Sequence, residues 1–146
     1  ASQKVGQSAA PLFLDRIDIQ CEISALPFKE LSKAAPGEPS AKIRERVIAA
    51  RALQTARFKD VPGVHCNAQM TERMIHQYAE PDEQGLDLMR LAMERLSLSA
   101  RAYSRILKVA RTIADLAAPP TVRPEHISEA ITYRQLDRSD WAERGL

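Results

Sequence analysis

One cation in this sequence stands where a helix disfavours it. Arg101 follows Ser99 and Ala100 at the head of the run SARAYSRILKVARTIADLA, residues 99–117. Ser99 is a good N-cap, because its hydroxyl accepts a backbone N–H two or three residues on. Arg101 therefore falls in a first helical turn, where a positive charge opposes the macrodipole unless an anion lies near. A phosphate is the natural anion; the plain alternative is a solvated arginine on an exposed face. Arg105, Lys108, Arg111 and Asp115 continue the polar face, and its cations could also meet a nucleic-acid backbone. Other chemistry is sparse. The sequence has no G-x-x-x-x-G-K-[ST] phosphate loop, no H-E-x-x-H and no paired C-x-x-C. His65 and Cys66 are adjacent but lack further ligands at metal spacing, so no metal site is expected. His76 and His126 fall on helical segments and read as surface or core-edge residues. Asp15, Asp18 and Glu22 cluster without a pocket and read as solvated carboxylates. Taken alone, the chain reads as non-catalytic.

The element that must carry Arg101 is itself well marked. Tyr103, Ile106, Leu107, Ala110, Ile113, Ala114 and Ala117 recur at the i, i+3, i+4, i+7 spacing of a helix with one buried face. Pro119 and Pro120 stop it. Four further helical segments surround it. Ser40 is expected to cap a helix to about Phe58, with Ile43, Val47, Ile48, Ala50, Arg51 and Leu53 along one side. NAQM, residues 67–70, reads as a turn into a short helix with Met74, Ile75 and Tyr78. Pro81 opens the next, with Leu86, Met89, Leu91, Met93 and Leu96 in or beside its buried stripe. Pro124 sits in the first turn of a last helix to about Leu136, with Ile127, Ala130 and Ile131 inward. Residues 25–33 read as a short amphipathic piece, and Trp141 is expected to pack back on the bundle from a final turn. Upstream, Ile17, Ile19, Cys21 and Ile23 alternate with Asp18, Gln20 and Glu22, the period of a half-buried β-strand. A lone strand cannot satisfy its own backbone groups. It is expected to be disordered, docked on the bundle or paired between copies, its sheet belonging to another part of the protein.

The fold class predicted is all-α, a small bundle of about five helices preceded by one orphan β-strand. A chain of 146 residues is the size of one domain. With 45% hydrophobic but only 5% aromatic residues, its core suits helix-on-helix packing. A net charge of +2 is too small to argue for nucleic acid by itself. Cys21 and Cys66 read as free thiols in a reducing compartment. No apolar run approaches the ~20 residues of a membrane span, and the first residues lack the apolar segment of a signal peptide. A cytoplasmic protein is expected. Residues 1–10 are expected to be disordered or a non-native extension, 25–39 a linker, and 40–146 a helical C-terminal domain.

Six stretches resemble a known family. LDRID (residues 14–18) and the following ALPFKELS resemble the end of the ATPase core in the magnesium chelatase-like AAA+ ATPases of the ComM type. SAKIRERVIAARALQTARF, NAQM, AMERLSLSARAYSRILKVARTIADLA and EHISEAITYR resemble the C-terminal domain of the same family, in the same order. The resemblance covers roughly residues 11–136 and implies that 11–24 is the last strand of the AAA+ core and 40–146 the lid. It implies ATP-driven work by a homo-hexamer on DNA, in natural transformation and branch migration. Arg16 matches the arginine finger projected in trans into the neighbouring subunit's nucleotide site, where a permanently charged guanidinium can neutralise a transferring phosphoryl group. Arg101 matches the sensor-2 arginine, expected to reach the nucleotide of its own subunit. ATP and Mg²⁺ are the implied cofactors of the full-length protein, with none expected on this fragment, which lacks the phosphate loop and is not expected to be catalytic alone. The implied partners are its own core, neighbouring subunits and DNA, with no membrane. SAAPLF before LDRID departs from the family's Ser-Gly-Pro run, and AAPP at 117–120 replaces a more usual glycine-containing helix end. The alternatives are a stand-alone helical nucleic-acid-binding module using Arg101, Arg105, Lys108 and Arg111, and the ATPase subunit of a metal chelatase.

Overall fold

The structure is a computed structural model that describes residues 16–21, 23, 25, 27 and 36–134. It is all-helical: α1 (Ser40–Phe58), a 3-10 turn (Asn67–Gln69), α2 (Glu72–Tyr78), α3 (Glu83–Leu96), α4 (Ala100–Ala117) and α5 (Pro124–Thr132). The helix that carries Arg101 is the hub. α4 packs against α1, the 3-10 turn, α2 and α5, and α3 closes the bundle against α5. Ile106, Leu107, Ala110 and Ala114 of α4 are buried with Phe58, Met70, Ile75, Met89 and Ile127. Phe58 and Tyr78 add an edge-to-face ring pair at 5.7 Å. Among the described residues no helix is long and apolar enough to cross a membrane.

Local chemistry sets the helix ends. Ser99 accepts the Ala102 N–H at 3.2 Å, which starts α4 where the sequence predicts. Ala118, at φ 69°, takes the left-handed cap that the two prolines then seal. Asp82 accepts the Gly85 N–H at 2.8 Å, so α3 begins two residues after Pro81 rather than on it. Gly85 is needed there: a Cβ would lie 2.8 Å from the Pro81 Cβ and 3.6 Å from Ile127. Pro124 opens α5, and the His126 Nδ1 accepts the Arg123 N–H at 3.0 Å. His126 is thus a buried helix-capping residue.

Three expectations are corrected. Ser40 is the first residue of α1 rather than its cap; Pro39 precedes it and no side chain caps the helix. The inward stripe of α1 is Ala50, Gln54 and Phe58, whereas Ile43, Val47, Ile48 and Leu53 are 42–60% exposed. The physical reason is that the bundle meets only the second half of α1; every residue from 40 to 49 is exposed. On α3 the inward residues are Gly85, Met89 and Ala92, and Leu86 and Leu91 face outward.

A fourth correction concerns the alternating segment. Among the described residues there is no strand. Ile19 is 52% and Ile23 91% exposed, and Cys21 is exposed too, so the alternation buries no face. A half-buried strand needs a neighbouring strand, and residues 16–21 have only helices beside them. They form a strap bonded to the side of the bundle, the docked outcome among those expected. The Gln20 N–H donates to the Tyr133 carbonyl at 3.0 Å, and the buried Arg134 donates to the Ile17 carbonyl. The amphipathic piece at 25–33 lies largely, and Leu136 and Trp141 wholly, outside the described residues.

Candidate functional site

The first two turns of α4 present Arg101, Ser104, Arg105 and Lys108 at i, i+3, i+4 and i+7, one face of a helix. Ala68 and Glu72 from the turn into α2, Met93 of α3 and Asp18 of the strap face them across an open groove of about 660 Å³. Arg101 is exposed at its end. The neighbouring polar groups hold the walls. The Ser104 hydroxyl donates to Glu72 Oε1 at 2.7 Å, and Lys108 Nζ donates to the Ala68 carbonyl at 3.0 Å. Burial pushes the Tyr103 hydroxyl above its usual pKa, with the charges of Glu80 and Glu72 adding to it. Tyr103 therefore stays neutral at the groove wall.

Arg105 makes the connection that no local pattern announces. Its Nη1 donates to the Arg16 carbonyl at 2.9 Å and to the Asp18 carboxylate in an ion pair. Arg105 lies one turn beyond Arg101. Arg16, far away in the chain, is thus bonded through its carbonyl to the residue one helical turn from Arg101, and Arg16 and Arg101 are both exposed. A guanidinium such as Arg101 on an open groove suits a polyanion, since it forks onto phosphate oxygens.

The rest of the predicted cationic face is not a face at all. Arg111 is 2% exposed and Asp115 likewise 2%. Arg111 Nε donates to Asp115 Oδ1 at 3.1 Å, and its two Nη atoms donate to the carbonyls of Pro120 and Pro119 at 3.0 and 3.2 Å. This latches the end of α4. On the other side, Arg57 of α1 donates to both Asp115 oxygens at 2.8 and 2.5 Å. Asn67 adds its amide to Asp115 at 2.8 Å and to Thr112 at 3.1 Å. Burial alone would raise the Asp115 pKa; the bonds from Arg57 and Asn67 and the charges of Arg111 and Arg57 outweigh it and hold the carboxyl below its usual range. Burial is also the main influence on Arg111, drawing it below the usual guanidinium value while Asp115 opposes. The i, i+4 spacing of Arg111 and Asp115 is the one signal in the sequence that could have exposed this hub; nothing there points to Arg57, Gln54 or Asn67 as partners.

Other candidates come to little. Cys66 and Cys21 are free thiols, and Cys66 and the His65 N–H turn toward Gln69. Among the described residues no three His, Cys, Asp or Glu side chains gather as a metal site would need.

Residues 37–134 match the family described as magnesium chelatase, subunit ChlI C-terminal. The uncharacterized protein YifB of Escherichia coli is 39% identical over 127 residues, which cover 86% of this chain and 24% of that protein. The competence protein ComM of Haemophilus influenzae is 36% identical over the same shares. An uncharacterized protein of Mycobacterium tuberculosis is 30% identical over 90% of this chain and 25% of its own length. The chain therefore spans about a quarter of the length of the curated relatives it matches.

Proposed function

The chain belongs to the magnesium chelatase ChlI C-terminal family, and from that premise we propose that it is the helical lid of a longer AAA+ ATPase of the ComM type. In this reading the chain supplies Arg16, from the end of the core, and Arg101, from the lid, to nucleotide whose phosphate loop lies elsewhere in the full-length protein. The motor is a homo-hexamer acting on DNA in the cytoplasm; the name of one relative, competence protein ComM, ties that relative to competence. Within the chain, residues 11–24 belong to the core and 40–146 form the lid.

One observation carries the site assignment: Arg105 Nη1 holds the Arg16 carbonyl at 2.9 Å, one turn from Arg101. The adjacency favours a single nucleotide served by both arginines, rather than Arg16 reaching a neighbour while Arg101 reads its own subunit. If Arg16 is a finger in trans, Arg101 comes with it. Both would stabilise charge on the transferring phosphoryl oxygens. The groove fits such a ligand, with the exposed Arg101 at its rim and a neutral tyrosine in its wall. Mg²⁺ bound with ATP would be held by ligands of the core and would supply further neutralisation of phosphate charge.

The nucleic-acid-module alternative needs the stripe Arg101, Arg105, Lys108, Arg111 to face solvent together. The burial of Arg111 and the Arg105–Asp18 pair weigh against it. The test is ATP turnover by the full-length protein. Arg16→Ala should lower turnover about a thousandfold, the scale of an arginine finger, and Arg101→Ala about a hundredfold, the scale of one lost charge-stabilising donor. Unchanged turnover in both would remove the nucleotide reading.

A further inference from the structure

We propose that Arg105 is a positioning residue whose work is to hold Arg16 in place, and that Asp18 is its counterpart on the strap. The proposal rests on the reading that Arg16 serves a nucleotide, and adds to it the device that aims the residue. Apolar packing seats the strap only loosely. Ile19 is half exposed and Ile23 almost fully so, and an open cavity of about 410 Å³ is left between Ile19 and the apolar residues Val109, Ile113 and Leu116 of α4. Among the described residues, polar attachments hold it as well: Gln20 to Tyr133, Ile17 to Arg134, and the Arg105 pair. Of these, the Arg105 pair reaches Arg16 itself. One guanidinium there takes the Arg16 carbonyl and the Asp18 carboxylate together, fixing the backbone on both sides of Ile17. Because Arg105 belongs to α4, a tilt of the lid carries the strap with it. Arg16 and Arg101 then move as one unit.

Two roles for Arg105 make opposite predictions. As a phosphate ligand it would be restrained by Asp18, and Asp18→Asn would release it to raise nucleotide affinity or turnover. As a positioning residue it needs Asp18, and Asp18→Asn would lower turnover. In the full-length protein, Arg105→Met should lower kcat for ATP about tenfold to a hundredfold, the cost of a misplaced transition-state group. KM should stay within about twofold, because ground-state binding is untouched. Asp18→Asn should lower kcat in the same direction by a smaller factor. Arg105→Lys, which keeps one bond and the charge, should fall between Arg105→Met and wild type. Amide exchange at Gln20 should quicken in Arg105→Met while exchange in α4 and α5 stays as in wild type. A rise in turnover with Asp18→Asn, a raised KM with intact kcat in Arg105→Met, or unaltered exchange at Gln20 would each overturn the proposal. Failure of the nucleotide reading would show differently, as wild-type turnover in Arg16→Ala with the exchange effect of Arg105→Met still present.

Discussion

Arg57 grips Asp115 with both ends of its guanidinium, at 2.8 and 2.5 Å, across the seam between α1 and α4. The Asp115 side chain is fully buried and that of Arg57 nearly so. Arg111 contacts the same carboxylate at 3.0 Å with its own side chain 3% exposed. A single anion therefore serves two cations, and Asn67 completes the set. Since α4 also carries Arg101, this hub sets where the nucleotide-facing turn sits relative to the rest of the bundle.

Removing the shared anion should be costly. Asp115→Asn leaves two buried guanidiniums short of a countercharge and should destabilise the domain by about 3–5 kcal/mol, the scale for breaking a buried ion pair. Urea unfolding of the variant against wild type measures it. A loss under ~1 kcal/mol, as for an exposed pair, would mean that water reaches the hub.

The same carboxylate gives a pH signature. Its folded pKa lies below its ordinary value, so the folded state favours the ionised form. That contribution is fully present above the ordinary carboxylate pKa of about 4 and is lost as pH falls through the lower, folded value. Acid unfolding of wild type should therefore show a stability loss in this range that Asp115→Asn lacks. Parallel acid curves for the two proteins would contradict the assignment.

The register of α1 offers a third test. Ile48 is 60% exposed and Ala50 only 3%. Ile48→Lys should change stability by about 0.5 kcal/mol or less, whereas Ala50→Leu should cost about 1–3 kcal/mol by overpacking. Thermal melts of both variants decide between this register and one that turns Ile48 inward.

Gly85→Ala probes the seam between α3 and α5. Its new Cβ would meet the Pro81 ring at 2.8 Å and approach Ile127. Helix propensity alone would favour alanine by ~1 kcal/mol; the clash should reverse that sign, with a net loss of about 1 kcal/mol or more. A more stable variant would show that Pro81 yields easily.

What the sequence disclosed and what it hid follow a physical line. The α4 core face, the Ser99 cap and the Pro124 start were readable because each depends on residues within a few positions of one another. The register of α1 was misread because its inward residues are an alanine, a glutamine and a phenylalanine, while its larger aliphatics face away from the bundle. The strap was misread as a strand because alternation reports a pleat only when a second strand is present. Arg111 was placed on the surface because the rest of its hub comes from elsewhere: Arg57, which shares Asp115 with it, is 58 residues before that carboxylate. The pairing of Arg105 with Asp18 spans 87 residues and has no signature in either segment. Arg16 and Arg101 were each found by resemblance, but only the folded chain shows the Arg16 carbonyl bonded to Arg105, one turn from Arg101.

ATP turnover by mixed oligomers of the full-length protein tests the shared site most directly. Subunits carrying Arg16→Ala are mixed with subunits carrying Arg101→Ala, each inactive alone. Where both arginines of one chain serve one nucleotide, every site in the mixture lacks one of them, and activity stays at the level of the separate variants. Recovery of turnover on mixing would mean that Arg16 and Arg101 of one chain serve different nucleotides, and would contradict the account.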